Sequence, residues 1–207
     1  MAEVKKTLKL QKLVDKTLKE FTGEIASAEG KPEGGSALAA VASMAVSLGE
    51  LAASACPEGS LSEDTVQELP ELNKYMLKQV DDYVRSRSPL RKRLEEGDKT
   101  PEEIESAARV ACGIPNEVVY LMCHHLEMLG EIADACPDEM VPNVLTAAHL
   151  SQSVIAAMRG EIKFLSNYMM EFTFRYTVNR EAEINVQEHQ ELIDQLIEKL
   201  NNRLNKE

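Results

Sequence analysis

Apolar positions recur at helical spacing along nearly the whole chain, and no segment sustains period-two alternation, so the pattern predicts helices and no sheet. The first helix is expected from roughly Val4 to Ala28, with Leu10, Leu13, Val14, Leu18, Phe21 and Ile25 on one face, ending before Gly30. The second runs from Ser36 to about Cys56 and stops at Pro57-Glu58-Gly59. The third covers about Glu71 to Glu95, after Pro70 and up to Gly97. The fourth has the clearest start: Thr100 as N-cap, Pro101 at the first helical position and Glu103 closing a capping box. It extends to about Ala135, and Gly113 with Pro115 is expected to kink or break it. The fifth runs from Pro142-Asn143 to about Thr177, and the sixth from Glu181 to Asn205, with Ile193, Ile197, Leu200 and Leu204 on one stripe. Connections are short, which predicts an all-α, up-and-down antiparallel bundle of five to six helices. Residues 1–178 form the bundle in this reading, and residues 179–207 an amphipathic helix packing on it or on a partner subunit.

The turn before the second helix departs most from ordinary helix punctuation. Pro32-Glu33-Gly34-Gly35-Ser36 leads straight into a segment of mostly Ala, Ser and Gly. Adjacent glycines permit positive φ and close approach of another group. Ser36 is the expected N-cap, at a helix start that favours an anion. The small residues that follow let neighbouring helices come close. Ala37–Cys56 has the length of a membrane span, but its Ala and Ser content and Glu50 fit a buried bundle helix better.

Composition narrows the function classes. Aromatic residues are only 4% of the 207, Trp is absent, and Ala, Leu, Glu, Lys and Met are plentiful, which favours helix. A net charge of −12 argues against nucleic acid and against an anionic membrane as partners. One basic cluster stands out: Arg85, Arg87, Arg91, Lys92 and Arg93. The N-terminus has no apolar signal core, so a cytoplasmic location is expected. Cys56, Cys112, Cys123 and Cys136 form no C-x-x-C pair and are expected to be reduced. Ser54-Ala55-Cys56-Pro57-Glu58 is echoed by Asp134-Ala135-Cys136-Pro137-Asp138. Both end even-numbered helices, so both turns are expected at one end of the bundle.

The order of these features resembles the formiminotransferase-cyclodeaminase C-terminal domain family, which includes stand-alone methenyltetrahydrofolate cyclohydrolases. The family's P-x-P-G-G-G-S turn is matched by Gly30-Lys31-Pro32-Glu33-Gly34-Gly35-Ser36. Its acidic third-helix segment is matched by Val80-Asp81-Asp82, and its V-P-x-E stretch by Ile114-Pro115-Asn116-Glu117. Its S-D-x-x-x-A-A start to the fifth helix is matched by Pro142-Asn143-Val144-Leu145-Thr146-Ala147-Ala148. Two departures touch chemistry: Glu33 stands where the family has the first glycine, and Asn143 where it has aspartate. The resemblance covers about residues 8 to 175. It implies a helical homodimer with a folate site near the glycine turn and no metal or redox cofactor. Two reactions follow from it. A cyclodeaminase closes 5-formiminotetrahydrofolate to 5,10-methenyltetrahydrofolate and releases ammonia; a cyclohydrolase opens the methenyl cation with water to 10-formyltetrahydrofolate. The alternative is a family member that has lost the chemistry and binds a folate or a protein.

Either reaction needs proton transfer at nitrogen, and the cationic methenyl group favours a nearby carboxylate. Asp82 is the first candidate for base or cation stabiliser, Asp81 the second; the competing reading is a solvated helix face. Asn143 is assigned to the pterin, and His149, on the same helix, is a further catalytic candidate against a structural histidine. Gly34, Gly35 and Ser36 are the candidate anion cradle, opposed by the charge of Glu33. Arg85 and its basic neighbours suit the glutamate tail of folate or a plain charged surface. His124 and His125 point about 100° apart on a helix and cannot share a metal. Phe164, Tyr168, Phe172 and Tyr176 recur every four residues, a pattern expected in the core or a subunit interface.

Overall fold

The structure, a computed structural model, describes residues 12–27, 33–97 and 100–205. A short 3₁₀ turn (Leu13–Asp15) precedes six α-helices: α1 (Leu18–Ile25), α2 (Gly34–Ser54), α3 (Glu63–Glu96), α4 (Pro101–Ala135), α5 (Val141–Ser166) and α6 (Phe172–Leu204). No strand occurs among the described residues, as the periodicity predicts.

Paired side chains fix the helix directions. Ser43 and Ser47 of α2 meet Asn73 of α3, while Gly35 meets Tyr83, so these two helices are antiparallel. Thr65 of α3 donates to Glu131 of α4, and Glu68 meets His124. His125 of α4 meets Ser151 of α5, and Ser166 of α5 meets Asn179 of α6. Consecutive helices from α2 to α6 therefore run antiparallel. α6 returns beside α4 in a parallel sense, through Glu127–His189 and Asp134–Lys199.

The centre is α2. It packs against α3, α4 and α5, and Ala39, Ala42, Ala45, Val46 and Ala52 are fully buried. Small side chains bring the neighbours close, so larger apolar residues from around them fill the space: Met76 from α3, Met122, Leu126 and Leu129 from α4, and Val154 and Met158 from α5. This helix is long and apolar enough to satisfy a membrane-span criterion, yet its buried face is shared with three other helices. Ile193, Leu196 and Leu200 of α6 join the same core.

Several expectations change. The third helix starts at Glu63 and includes Pro70: Ser62 is its N-cap and accepts from the Thr65 N–H. A proline interior costs the bond to the residue four back, and burial of Leu69, Leu72 and Met76 around it offsets that cost. Pro115 likewise lies inside an unbroken α4, flanked by buried Ala111, Cys112, Val118 and Val119. The expected fourth start is correct in detail, with the Thr100–Glu103 capping box formed. The last two helices divide earlier than expected. α5 ends at Ser166, where Glu105 of α4 accepts from the N–H groups of Met170 and Glu171 and anchors the turn. α6 then runs unbroken through position 178. Of the first predicted helix, residues 4–11 and 28 lie outside the described residues; the remainder holds the 3₁₀ turn and the short α1. The two echoed turns lie at one end of the bundle, since α2 and α4 both run antiparallel to α3.

A buried histidine sits at the α2–α4–α5 junction. The His125 Nδ1–H donates to Ser151 Oγ at 3.0 Å, and that hydroxyl donates to the Ala147 carbonyl. The other nitrogen, Nε2, is buried with no hydrogen-bond partner. A Cβ at Gly49 would lie 2.9 Å from it, so this glycine makes room for the ring. Burial, with a smaller contribution from the charge of His124, pushes the His125 imidazole down to about 3. The unfolded chain takes this proton below about pH 6.5 and the folded chain does not, so stability falls as pH drops through that window. At pH 5 the loss from this group is about 2 kcal/mol. Denaturant unfolding at pH 7.5 and pH 5.0 should show wild type losing roughly that much more than His125→Gln; equal losses would refute it.

Candidate functional site

Three helices converge at the glycine-turn end: the first turn of α2, the middle of α3 and the last two turns of α5. Helical spacing puts Tyr83, Arg87 and Arg91 on one face of α3. Tyr83 is buried, 1% exposed, and its hydroxyl donates to Glu161 Oε2 at 2.7 Å. Burial first, and the Glu161 carboxylate second, raise the Tyr83 phenol far above its ordinary value, so it stays a donor. Arg87 Nε donates to Glu33 Oε2 at 3.0 Å, and Arg91 Nη1 donates to Glu33 Oε1 at 3.1 Å. The Arg87 guanidinium also lies 5.2 Å from the centre of the Phe164 ring, a cation–π distance. Behind it the Cys112 thiol is pushed up to about 12 by burial and stays protonated.

The glycine turn works differently from the sequence expectation. Glu33, not Ser36, is the N-cap, and its side chain makes no capping bond. Neither Gly34 nor Gly35 has positive φ; among the described residues only Gly59 and Gly97 do. What requires glycine at 35 is contact: a Cβ there would lie 2.1 Å from the Tyr83 ring. Gly34 has open space around it. Ser36 is fully buried one turn on from Glu33, and its Oγ has no hydrogen-bond partner. Arg87 Nη1 is likewise buried and without an acceptor, 3.9 Å from Glu161. Two polar groups at the same end therefore have hydrogen-bonding capacity that the fold leaves unused, which marks a place for a polar ligand.

A second face of α3 carries the acids. Asp82, 21% exposed, pairs with Arg85 Nη1 at 2.6 Å and with Lys78 at 3.6 Å. Tyr75, two turns earlier, lies near Glu117 of the fourth-helix motif. Burial first, then the Glu117 carboxylate, push the Tyr75 phenol strongly upward. Tyr75 and Glu117 belong to an open groove of about 540 Å³ between α3 and α4 that also takes in Glu68, Leu121 and His124. Asp81 faces the other way: it accepts from the Leu13 N–H at 2.8 Å and the Val14 N–H at 3.5 Å, holding the 3₁₀ turn.

Gly34, Gly35, Ser36, Asp81, Asp82 and Arg85 thus share one end of the bundle. Asn143 and His149 do not join them within one chain. The contacts Gly35–Tyr83–Glu161 and Gly49–His125–Ser151 set the register of α5 along α2. Asn143 lies 18 residues before Glu161, about 27 Å along the helix, and His149 about 18 Å. Asn143 Nδ2 reaches Met140 Sδ instead. Glu161 escaped the sequence reading, although an acid beside the buried Met158, Ile162 and Leu165 was the available signal. The aromatic stripe is not core: Phe164, Phe172 and Tyr176 are 48%, 67% and 57% exposed. His124 sits between Glu68 and Glu127, within hydrogen-bond reach of both carboxylates, and no group of three or more metal-ligating side chains occurs among the described residues.

Comparison with known proteins gives a consistent result. The family described as formiminotransferase-cyclodeaminase matches residues 17–184. No curated protein sequence matches the chain. Among solved structures, a formiminotetrahydrofolate cyclodeaminase from Thermotoga maritima superimposes with a TM-score of 0.73. It is 21% identical, over 91% of this chain and 96% of that one, a likeness of fold.

Gly35→Ala should destabilise the protein by about 1–3 kcal/mol, because the methyl group and the buried Tyr83 ring compete for one space. Gly34→Ala should stay within about 0.5 kcal/mol of wild type. Thermal unfolding of the two variants checks this, and equal effects would show that the close approach does not matter.

Proposed function

The chain belongs to the formiminotransferase-cyclodeaminase family, and on that premise we propose that it acts on one-carbon tetrahydrofolates. The reaction is the interconversion centred on 5,10-methenyltetrahydrofolate. In ring closure, N10 attacks the formimino carbon on N5 and ammonia leaves. In ring opening, water adds to the methenyl carbon, the C–N5 bond breaks and a proton is released. Both pass through a cation flanked by two nitrogens, and both need a group that exchanges a proton beside it.

The observation that supports this reading is the pairing of two unlike faces on α3. Asp82, two turns beyond Tyr75 on α3 and paired with Arg85 and Lys78, offers a carboxylate to a cation. Five residues on, about 7.5 Å along the axis, Arg87 begins an arginine face beside α2. A folate has the matching polarity, with a cationic one-carbon end and an anionic glutamate end. Asp82 acts as base or cation stabiliser in this proposal. Gly34, Gly35, Ser36 and Arg85 border the ligand. No metal or redox step is invoked.

A homodimer belongs to the same reading. Phe164, Met170, Phe172 and Tyr176 leave an apolar surface uncovered at the α5–α6 corner, the kind of surface that subunits bury. In that arrangement Asn143 and His149 can act only if a second copy brings them to the α3 site.

The absorbance decay of 5,10-methenyltetrahydrofolate, corrected for spontaneous hydrolysis, tests ring opening; ammonia release from 5-formiminotetrahydrofolate tests ring closure. Activity in one assay should fall by about 10²-fold or more in Asp82→Ala. No activity in either assay refutes the enzyme reading. Sedimentation should give twice the 23.0 kDa of one chain, and a single-chain mass would refute the dimer.

A further inference from the structure

Glu33 holds an unusual position for a carboxylate at a helix start. It is the N-cap residue of α2, yet its side chain makes no capping bond. Instead each of its two oxygens takes one guanidinium, from Arg87 at 3.0 Å and Arg91 at 3.1 Å. One carboxylate shared between two arginines is how a free anionic ligand is held. The Glu33 side chain is 19% exposed, and its backbone is extended at the end of the helix, with φ −84° and ψ 169°. Its side chain takes no part in capping α2, so its withdrawal costs the helix no capping bond.

We propose that Glu33 is a built-in carboxylate plug: it fills an anion site formed by Arg87, Arg91 and the first turn of α2, which a ligand carboxylate takes over when Glu33 swings out. Three further features at the same end fit an external anion. Arg87 Nη1 is buried and has no acceptor. Ser36 Oγ, fully buried one turn into α2, has no partner either. The first turn of α2 has no side-chain cap, so its N–H groups favour an anion there. Charge adds a fourth reason. Arg87 and Arg91 share Glu33, and each also has a more distant acid, Glu161 at 3.9 Å and Glu95 at 3.8 Å. Withdrawal of Glu33 removes the nearest carboxylate from both guanidiniums in a half-buried setting, and an incoming carboxylate restores it. Resting on the folate reading above, the ligand group is the glutamate moiety of a folate, and the plug sets a threshold that a ligand without a carboxylate there cannot pass.

The test is titration calorimetry of the full chain with p-aminobenzoyl-L-glutamate, which carries the glutamate moiety without a pterin, beside 5-formyltetrahydrofolate. Glu33→Gln should bind p-aminobenzoyl-L-glutamate at least tenfold more tightly than wild type. The added ligand should also raise the melting temperature of the variant more than that of wild type. Glu33→Gln/Arg87→Gln should lose the gain. Glu33→Asp, which shortens the plug and keeps its charge, should fall between, and it serves as the test if Glu33→Gln is insoluble. If neither variant gains affinity and both merely melt lower, Glu33 is a clamp between α2 and α3 and the plug is overturned. In that outcome, 5-formyltetrahydrofolate binding to wild type would leave the folate reading standing. The reverse result, gained p-aminobenzoyl-L-glutamate binding with none for 5-formyltetrahydrofolate, would sustain the plug and overturn the pterin reading.

Discussion

Close approach to a helix of small side chains is the constraint on which the rest of this protein depends. α2 has glycine at two points where a neighbouring ring comes close. Gly35 meets the Tyr83 ring, and Gly49 meets His125. Neither contact survives a Cβ at its present distance. The two contacts lie about two thirds of the α2 length apart, fix the register of α3 and α4 against it, and through Glu161 and Ser151 fix that of α5. Helix spacing set this way determines which polar side chains face each other at the bundle ends. A close-packed interior transmits the constraint because it has little slack.

At the glycine-turn end, packing and polarity oppose each other. Burial of Tyr83 brings its hydroxyl into the helix interface, where the Glu161 carboxylate takes it. That carboxylate needs positive charge nearby, and Arg87 supplies it while also lying over Phe164. Arg87 and Arg91 then hold Glu33. The chain from phenol to carboxylate to guanidinium to carboxylate ties α3, α5 and α2 together with alternating charge. Unpaired charges in so enclosed a place would cost far more than the pairs return. The fold nevertheless leaves Ser36 Oγ and Arg87 Nη1 without partners at this end, as it leaves His125 Nε2 in the interior.

The same α3 helix separates two chemistries by rotation alone. Asp82 and Tyr83 are neighbours in sequence and point about 100° apart. One faces lysine and arginine; the other is sealed against glycine. The adjacent Asp81 serves the 3₁₀ turn near the start of the described chain. Three consecutive residues thus have three distinct surroundings, and their order in the sequence does not reveal which is which.

Local physical signals made much of the architecture legible. Apolar spacing without period-two runs established an all-helical chain, and Thr100, Pro101 and Glu103 marked a helix start to the residue. Gly97 marked a stop, through its left-handed backbone. The ordered motifs pointed to the family that the match over residues 17–184 identifies. The misplacements share one cause. Pro70 and Pro115 were weighed by what proline does to an isolated helix, but neighbouring helices stabilise both segments through buried leucine, valine and methionine. The break after Ser166 depends on Glu105, more than sixty residues away, accepting from the turn's N–H groups, so no local signal marks it. The sequence by itself determined the helices, the small-residue core helix and the family, because backbone propensity and periodicity act over a few residues. Only the tertiary structure decided that Glu33 faces two arginines, that Glu161 completes their cluster, and that Asn143 lies far along α5 from it. Those relations depend on helix register, and register is set by contacts between residues distant in the chain.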